Sequence, residues 1–286
     1  MHFAVMAPEA VEYLAIRTDG IYLDATAGLG GHTAEIARRL DTGKVIANDR
    51  DAESLEMARR NTAEWADRIC FHYGPFSRLA SALPACGAGQ VIGLLADLGV
   101  SRYQLTEPER GFSFLSAESL DMRMDRSKGI TAEEVLNQYA EEAIADLIYQ
   151  LGEERRARKI ARAIVQARPL RSSLDLAGSV ERVVPRTSRL HPATRTFMAL
   201  RMYVNDELGE LDRLLEIGPE LLAQGGRMVV ISFTSLEDRK IKQRFRALEQ
   251  EGRATVLTRH PLTPTEEETR LNPPSRSAKL RALEMR

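Results

Sequence analysis

Glycines, a histidine and acidic or hydroxyl side chains crowd into Asp24-Ala-Thr-Ala-Gly-Leu-Gly-Gly-His-Thr33, and such residues suit the cradling of a nucleoside. Ile21, Tyr22 and Leu23 read as the end of a buried strand, and Thr33 to Leu40 has the spacing of an amphipathic helix. The glycines are then the turn between them, at the carboxyl end of a strand. There α/β sheets bind their ligands, and residues without a Cβ let a ligand approach the backbone. Gly28-x-Gly30-Gly31 lacks the third glycine of the dinucleotide fingerprint, because Thr33 occupies that place. A second apolar run, Val45 to Ala47, ends in Asn48-Asp49, and Asp49 follows Gly28 by 21 residues. At that separation a carboxylate accepts hydrogen bonds from a ribose diol. A third run, Val91 to Ala96, ends in Asp97. Asp24, Asp49 and Asp97 thus stand at the ends of three inferred strands, on the sheet edge that carries the glycine turn. NAD, FAD and S-adenosylmethionine all suit this arrangement, so the spacing implies an adenosine-containing ligand and leaves the chemistry open.

Positioning these residues takes parallel strands separated by helices. Ala10 to Arg17, Ala52 to Ala66 and a stretch around Leu79 to Leu83 have helical spacing, and Ile69 to Tyr73 is a further strand. That strand runs into Gly74-Pro-Phe-Ser77, where Phe76 is placed to meet an adenine ring. The alternation predicts a doubly wound α/β domain. Beyond Gln104 it stops, and no strand is evident from 106 to 190. Thr131-x-x-Glu134 is a capping box opening a helix with Val135, Tyr139, Ala143, Leu147 and Leu151 on one face. Ile160 to Val165 and Leu174 to Val184 supply more helix. A long helix is expected from His191-Pro-Ala-Thr-Arg195, with Phe197, Leu200, Val204, Leu208, Leu211 and Leu215 on one face. Gly225-Gly226 closes the helical region, and Met228 to Phe233 resumes the sheet. Ser235 and Asp238 can cap a helix over Lys240 to Leu248; Ala254 to Arg259 and Ala278 to Glu284 are two closing strands. The expected division is 1–105 and 196–286 for the sheet domain and 106–195 for an inserted helical domain.

Composition narrows the class. At 286 residues and 43% hydrophobic content the chain has ample material for a packed core. No apolar stretch approaches the roughly 18 residues of a membrane span, and the amino terminus lacks the order of a signal peptide, which implies a cytoplasmic location. Cys70 and Cys86 are the only cysteines, and two ordinary buried thiols are expected rather than a disulfide. His2, His32, His72, His191 and His260 have no ligand spacing, so no metal site is expected. The net charge of -1 hides an uneven distribution. From Leu151 to Arg201 twelve Arg and Lys residues, Arg155, Arg156, Lys159, Arg189 and Arg195 among them, face four acids. Such an excess favours a phosphate-contacting surface.

Motifs along the whole chain resemble the bacterial ribosomal RNA small subunit methyltransferase H family. They are Asp24 to Thr33, Asp49-Arg-Asp51, Gly74-Pro-Phe76, Asp97-Leu-Gly-Val-Ser101 with Gln104, Glu109-Arg-Gly-Phe-Ser-Phe114, Leu120-Asp-Met-Arg-Met-Asp125, His191-Pro-Ala-Thr-Arg-Thr-Phe197, Ser232-Phe-x-Ser-Leu-Glu-Asp-Arg239 and Ser275-Arg-Ser-Ala-Lys-Leu280. The resemblance implies a class I, Rossmann-like S-adenosylmethionine-dependent methyltransferase fold with an inserted all-helical domain, and methylation of the N4 amine of a cytidine in 16S rRNA. It also implies a cofactor site at Gly30, Gly31, His32, Asp49, Phe76, Asp97 and Gln104. The sequence departs from the family at Arg102-Tyr103, usually Ser-Pro; at Thr234, usually His; and at Ala25 and Ala27, where Gly and Phe are common. Asp97 is the candidate catalytic acceptor for the amine. Arg155, Arg156, Lys159 and Arg195 are the candidates for rRNA contact, and Tyr103, Phe112, Phe114 and Phe233 are candidate platforms for an extruded base. Two other readings fit parts of the pattern: an NAD(P)-dependent oxidoreductase and a non-catalytic RNA-binding assembly protein.

Overall fold

The computed structural model describes residues 4–114, 116–186 and 191–286. His2 and Arg189, counted above among the histidines and the basic residues, lie outside the described residues. In chain order the elements are α1 (Ala7–Leu14), β1 (Ile21–Asp24), α2 (Gly31–Ala37), β2 (Lys44–Asp49), α3 (Ala52–Asn61), β3 (Ile69–Tyr73), α4 (Leu79–Ala85) and β4 (Val91–Asp97). After them come α5 (Arg102–Thr106), α6 (Ala132–Gln138), α7 (Glu141–Gly152), α8 (Ala157–Gln166), α9 (Ser173–Glu181) and α10 (Thr194–Val204). The chain ends with α11 (Glu207–Leu221), β5 (Leu222–Ser232), α12 (Ser235–Gln250), β6 (Ala254–Val256), α13 (Glu266–Leu271) and β7 (Lys279–Met285).

The chain divides into two compact units, one of Met1–Gly99 with Gly209–Arg286, the other of Val100–Leu208. In the first, the strands form one sheet of order β3-β2-β1-β4-β5-β7-β6. β1 to β5 pair in parallel, and β7 runs against both of its neighbours. This is a Rossmann-like α/β sheet. Its central strands carry apolar side chains to both faces, as a sheet covered on both sides requires: Tyr22, Leu23, Val45, Ile46, Leu94, Leu95, Val229 and Val230 are almost wholly buried.

The second unit is helical, and among its described residues there is no strand. Its core gathers Ile144, Ile148, Ile160, Ile164, Leu176, Phe197 and Leu200. Where the sequence suggests a boundary after 195, α10 packs Phe197, Ala199 and Leu200 into this core, so the helix belongs to the second unit.

Several local expectations are corrected. The helix opened by Thr131 is two, α6 and α7, parted by the extended residues Tyr139 and Ala140. The long helix from His191 is also two, because Asp206 takes a left-handed φ of 47° between α10 and α11. Gly225-Gly226 lies inside β5 and does not precede it: Leu222 already pairs with Val91, and the pairing resumes at Arg227 opposite Gly93. Helix α12 starts at Ser235 and is capped by Thr234, whose side chain accepts the amide of Glu237. Asp238 instead meets Arg281 on β7 at 2.6 Å. Cys70 and Cys86 form a disulfide. Helix α4 returns beside β3 and brings the two Cα atoms to 5.9 Å, well within bridging range.

Candidate functional site

Asp24, Asp49 and Asp97 end β1, β2 and β4, which are three adjacent strands of the sheet. Each carboxylate is fixed differently. Asp24 is completely buried and ties the glycine turn to the strand: its Oδ2 accepts the Thr33 hydroxyl at 2.6 Å and its Oδ1 the Thr26 amide at 3.1 Å. Burial raises its pKa, against the pull of His32 and Thr33. It is therefore scaffold. Asp49 is half-buried and accepts one backbone amide on each oxygen, Gly28 at 2.7 Å and Asp51 at 2.8 Å. Each oxygen keeps a second lone pair. Burial pushes the Asp49 carboxyl up to about 6, although both amides pull it down.

Asp97 is held through its backbone, which donates to the Thr26 hydroxyl oxygen at 2.7 Å. Its carboxyl lies beside His32, with Nε2 and Oδ2 3.5 Å apart. That distance suits an ion pair and is too long for a good hydrogen bond. Burial would lower the His32 pKa, but Asp97, Asp24 and Glu35 outweigh it and the net shift is upward. His32 Nε2 and Asp97 Oδ1 are both buried without a hydrogen-bond partner among the described residues.

Between these groups runs the turn. Gly28 and Gly30 take φ of 51° and 88°, left-handed values that side chains resist. At Gly30 a Cβ would also sit 2.8 Å from Thr62 Cγ2 and 3.3 Å from the Ala58 backbone. The need for glycine there comes from the close approach of α3, so sequence spacing points to the right residue for a reason internal to the fold. Gly31 and His32 open α2.

Phe76 sits in a short 3-10 turn, Phe76–Arg78, after β3. The Gly74 amide donates to the Asp49 carbonyl at 2.9 Å, and the Ser77 amide donates to Glu210 Oε2 at 3.0 Å. Phe76 is thereby anchored, half-buried, just after β3 in the chain and tied through Gly74 to the end of β2. Gly30, Gly31, His32, Asp49, Phe76 and Asp97 all belong to the first unit. Gln104 belongs to the second, where it completes a capping box with Ser101 on α5.

Thr26, Asn48 and Glu210 escape the sequence reading. Asn48 is buried and donates to the carbonyls of Ala25 and Gly74, both at 3.1 Å, while its Oδ1 meets His72 Nδ1 at 2.8 Å. It bridges the glycine turn to the Phe76 loop. A polar residue ending an apolar strand is the signal that marks it, and the neighbouring Asp49 draws attention away. Ala25 and Ala27, two of the departures from the family pattern, are both buried.

These features accept an adenosine-containing ligand with positive charge. Asp49 retains lone pairs for a diol, and Asp97 offers a buried carboxylate oxygen without a donor. Asp49, Asp97, His32 and Phe76 suit S-adenosylmethionine, beside the turn that carries Gly30 and Gly31.

The basic candidates divide. Arg155, Arg156 and Lys159 are exposed and form no ion pair among the described residues. Arg195 instead donates to the Glu153 carbonyl at 2.9 Å and lies 3.8 Å from the Glu154 carboxylate, so it braces the end of α7. Among the aromatics, Phe112 is buried in the helical core. Phe114 stacks on His191 at 4.7 Å and meets Phe197 edge-on, which makes it a packing residue.

Residues 1–286 match the MraW methylase family. A protein of Solibacter usitatus named ribosomal RNA small subunit methyltransferase H is 68% identical, over 100% of both chains. One of the same name from Acidobacterium capsulatum is 49% identical over 99% of this chain and 98% of its own. Neither the oxidoreductase nor the non-catalytic reading draws support from relatives so named.

Proposed function

Because the chain belongs to the MraW methylase family, we propose that it is an S-adenosylmethionine-dependent methyltransferase that acts on the N4 amine of a cytidine in the 16S rRNA of the small ribosomal subunit. The observation that carries this reading is the 68% identity, over the full length of both chains, to a protein named ribosomal RNA small subunit methyltransferase H. The site supports it independently through Asp49 and Asp97, which suit a ribose and a cationic group.

When bound, S-adenosylmethionine supplies an electrophilic methyl on its sulfonium. The chain's own task is placement, since an in-line displacement needs the amine at about 3 to 3.5 Å from the methyl carbon. Asp49 accepts the ribose hydroxyls and Phe76 walls the adenine. The turn through Gly28 to Gly31 borders the ligand, and His32 stands beside the Asp97 carboxyl. Cytosine N4 is a poor nucleophile because its lone pair is delocalised into the ring. Asp97, or a carbonyl of the Asp97 to Ser101 loop, accepts an N–H of that amine and draws the nitrogen toward tetrahedral geometry. Gln104 caps α5 through Ser101, while Arg155, Arg156 and Lys159 hold rRNA phosphates. With a ribosomal substrate the enzyme works in the cytoplasm. Among the described residues, no helix is long and apolar enough to cross a membrane.

Calorimetry and single-turnover assays on Asp97→Asn test the site. The variant is expected to lose at least about tenfold in cofactor affinity, a charge-assisted contact being worth roughly 1.5–3 kcal/mol, and to lose turnover as well. Unchanged affinity and turnover would exclude Asp97 from both roles.

A further inference from the structure

Helix α8 of the helical unit is sharply two-sided. Ala157, Ile160, Ala161 and Ile164 are buried, while Arg158, Lys159, Arg162 and Gln166 are exposed. Arg158, Arg162 and Gln166 follow one another at single-turn intervals, so they form a row along one face. Beside that row lies a concavity of about 210 Å³, lined by Arg158, Lys159, Arg162, Ala163, Gln166 and Val183. Its lining has distinct parts. Ala163 and Val183 give an apolar floor. Arg158 and Lys159 stand at the rim without an ion pair among the described residues. Arg162 lies 3.5 Å from the Glu141 carboxylate with its own side chain 70% exposed, a pairing that is weak in water. Gln166 carries an amide able both to donate and to accept.

We propose that this concavity is a nucleotide subsite for a single-stranded stretch of the substrate RNA. Arg158 and Lys159 take the phosphates, one unstacked base lies on Val183 and Ala163, and Gln166 bonds the edge of that base. The proposal rests on the reading of the chain as an rRNA methyltransferase and adds to it a place where RNA is held, on the helical unit. A free phosphate would use the cations and leave the apolar lining and the amide unemployed. RNA recognition of unpaired segments uses all three, with charge for the backbone, a surface for the base to lie against and a bond to the base edge.

The two kinds of interaction respond differently to salt. Removing one cation that neutralises a phosphate of a single strand lowers the slope of log K against log salt by about 0.7, whereas removing a group that holds the base weakens binding at every salt concentration and leaves the slope alone. The experiment measures binding of a fluorescent single-stranded oligoribonucleotide of small-subunit rRNA sequence to the full-length protein across a salt series. The proteins are wild type, R158Q, K159Q, Q166A and V183S, with thermal melts to confirm folding and calorimetry to confirm that S-adenosylmethionine binds equally. R158Q and K159Q are expected each to reduce the slope by about 0.7. Q166A and V183S are expected to weaken binding about three- to tenfold with the slope unchanged. If Q166A and V183S bind as wild type, the face is a plain phosphate surface and the subsite is refuted while the methyltransferase reading stands. If wild-type protein binds no oligoribonucleotide at any salt concentration, the subsite fails, while the methyltransferase reading stands or falls on methyl transfer to small subunits.

Discussion

At the scale of single residues, Asp49 is where pH acts most directly. Its carboxyl sits near 6 because burial disfavours the charge, and a ribose diol needs it as an ionised acceptor. Cofactor affinity measured calorimetrically should therefore be level above neutrality and fall, by up to about tenfold per pH unit, as pH drops below 6. Asp49→Asn should abolish that dependence and bind weakly throughout. A level profile in the wild type down to pH 5 would show that the cofactor does not need the carboxylate. Folding stability depends on this group in the opposite sense. Its folded pKa exceeds the ordinary 3.8, so its contribution is complete below 3.8 and is lost as pH rises through about 6. Asp24, buried among hydroxyl and amide donors, and Asp97, beside His32, show how three carboxylates at equivalent strand ends acquire separate tasks from their neighbours alone.

At the scale of elements, two crosslinks hold segments that helix and strand hydrogen bonds leave loose. Asn205, just after α10, accepts the Met124 amide at 2.7 Å and donates to the carbonyls of Met122 and Arg201 at 2.7 and 2.8 Å. Asn205→Ala should cost about 2–4 kcal/mol, because buried backbone groups lose their partners, and should deprotect the amides of 122–124 in hydrogen exchange; unchanged protection would show another anchor. The Cys70–Cys86 disulfide closes a loop with a sequence separation of 16 that contains Phe76. Replacing both cysteines with serine should cost about 3 kcal/mol in urea denaturation under oxidising conditions and nothing under reduction; equal stability in both would show that the bond does not form in solution. What was legible at this scale follows from physics. Long apolar runs such as Val91 to Ala96 announced strands, and Thr131 with Glu134 announced a cap. The breaks at Tyr139 and Asp206 were not legible, since an apolar face continues in register across a short interruption and residues tolerant of left-handed backbone leave no periodic mark. The disulfide was hidden for a related reason: only the fold-back of α4 on β3 makes the two cysteines neighbours.

At the scale of the whole molecule, a Rossmann-like sheet unit carries the cofactor candidates other than Gln104, and a helical unit carries Gln104 and the exposed cations. The parallel arrangement and the place of the carboxylates could be read from strand-helix alternation, because ligands bind where parallel strands end. The reversed strand β7 could not, since it owes its direction to tertiary pairing with β5 and β6. The basic segment was visible as composition. Which of its members are free was not: Arg195 is taken up by α7, while Arg155, Arg156 and Lys159 remain exposed. The central claim, that this chain methylates small-subunit rRNA, is most directly tested by incubating purified protein and labelled S-adenosylmethionine with small subunits from a strain lacking the gene, then mapping the modified nucleotide by mass. The account predicts one added methyl group on the N4 of a single cytidine in 16S rRNA, absent with Asp97→Asn. Label on another atom or another RNA, or none at all with folded protein that binds the cofactor, would contradict it.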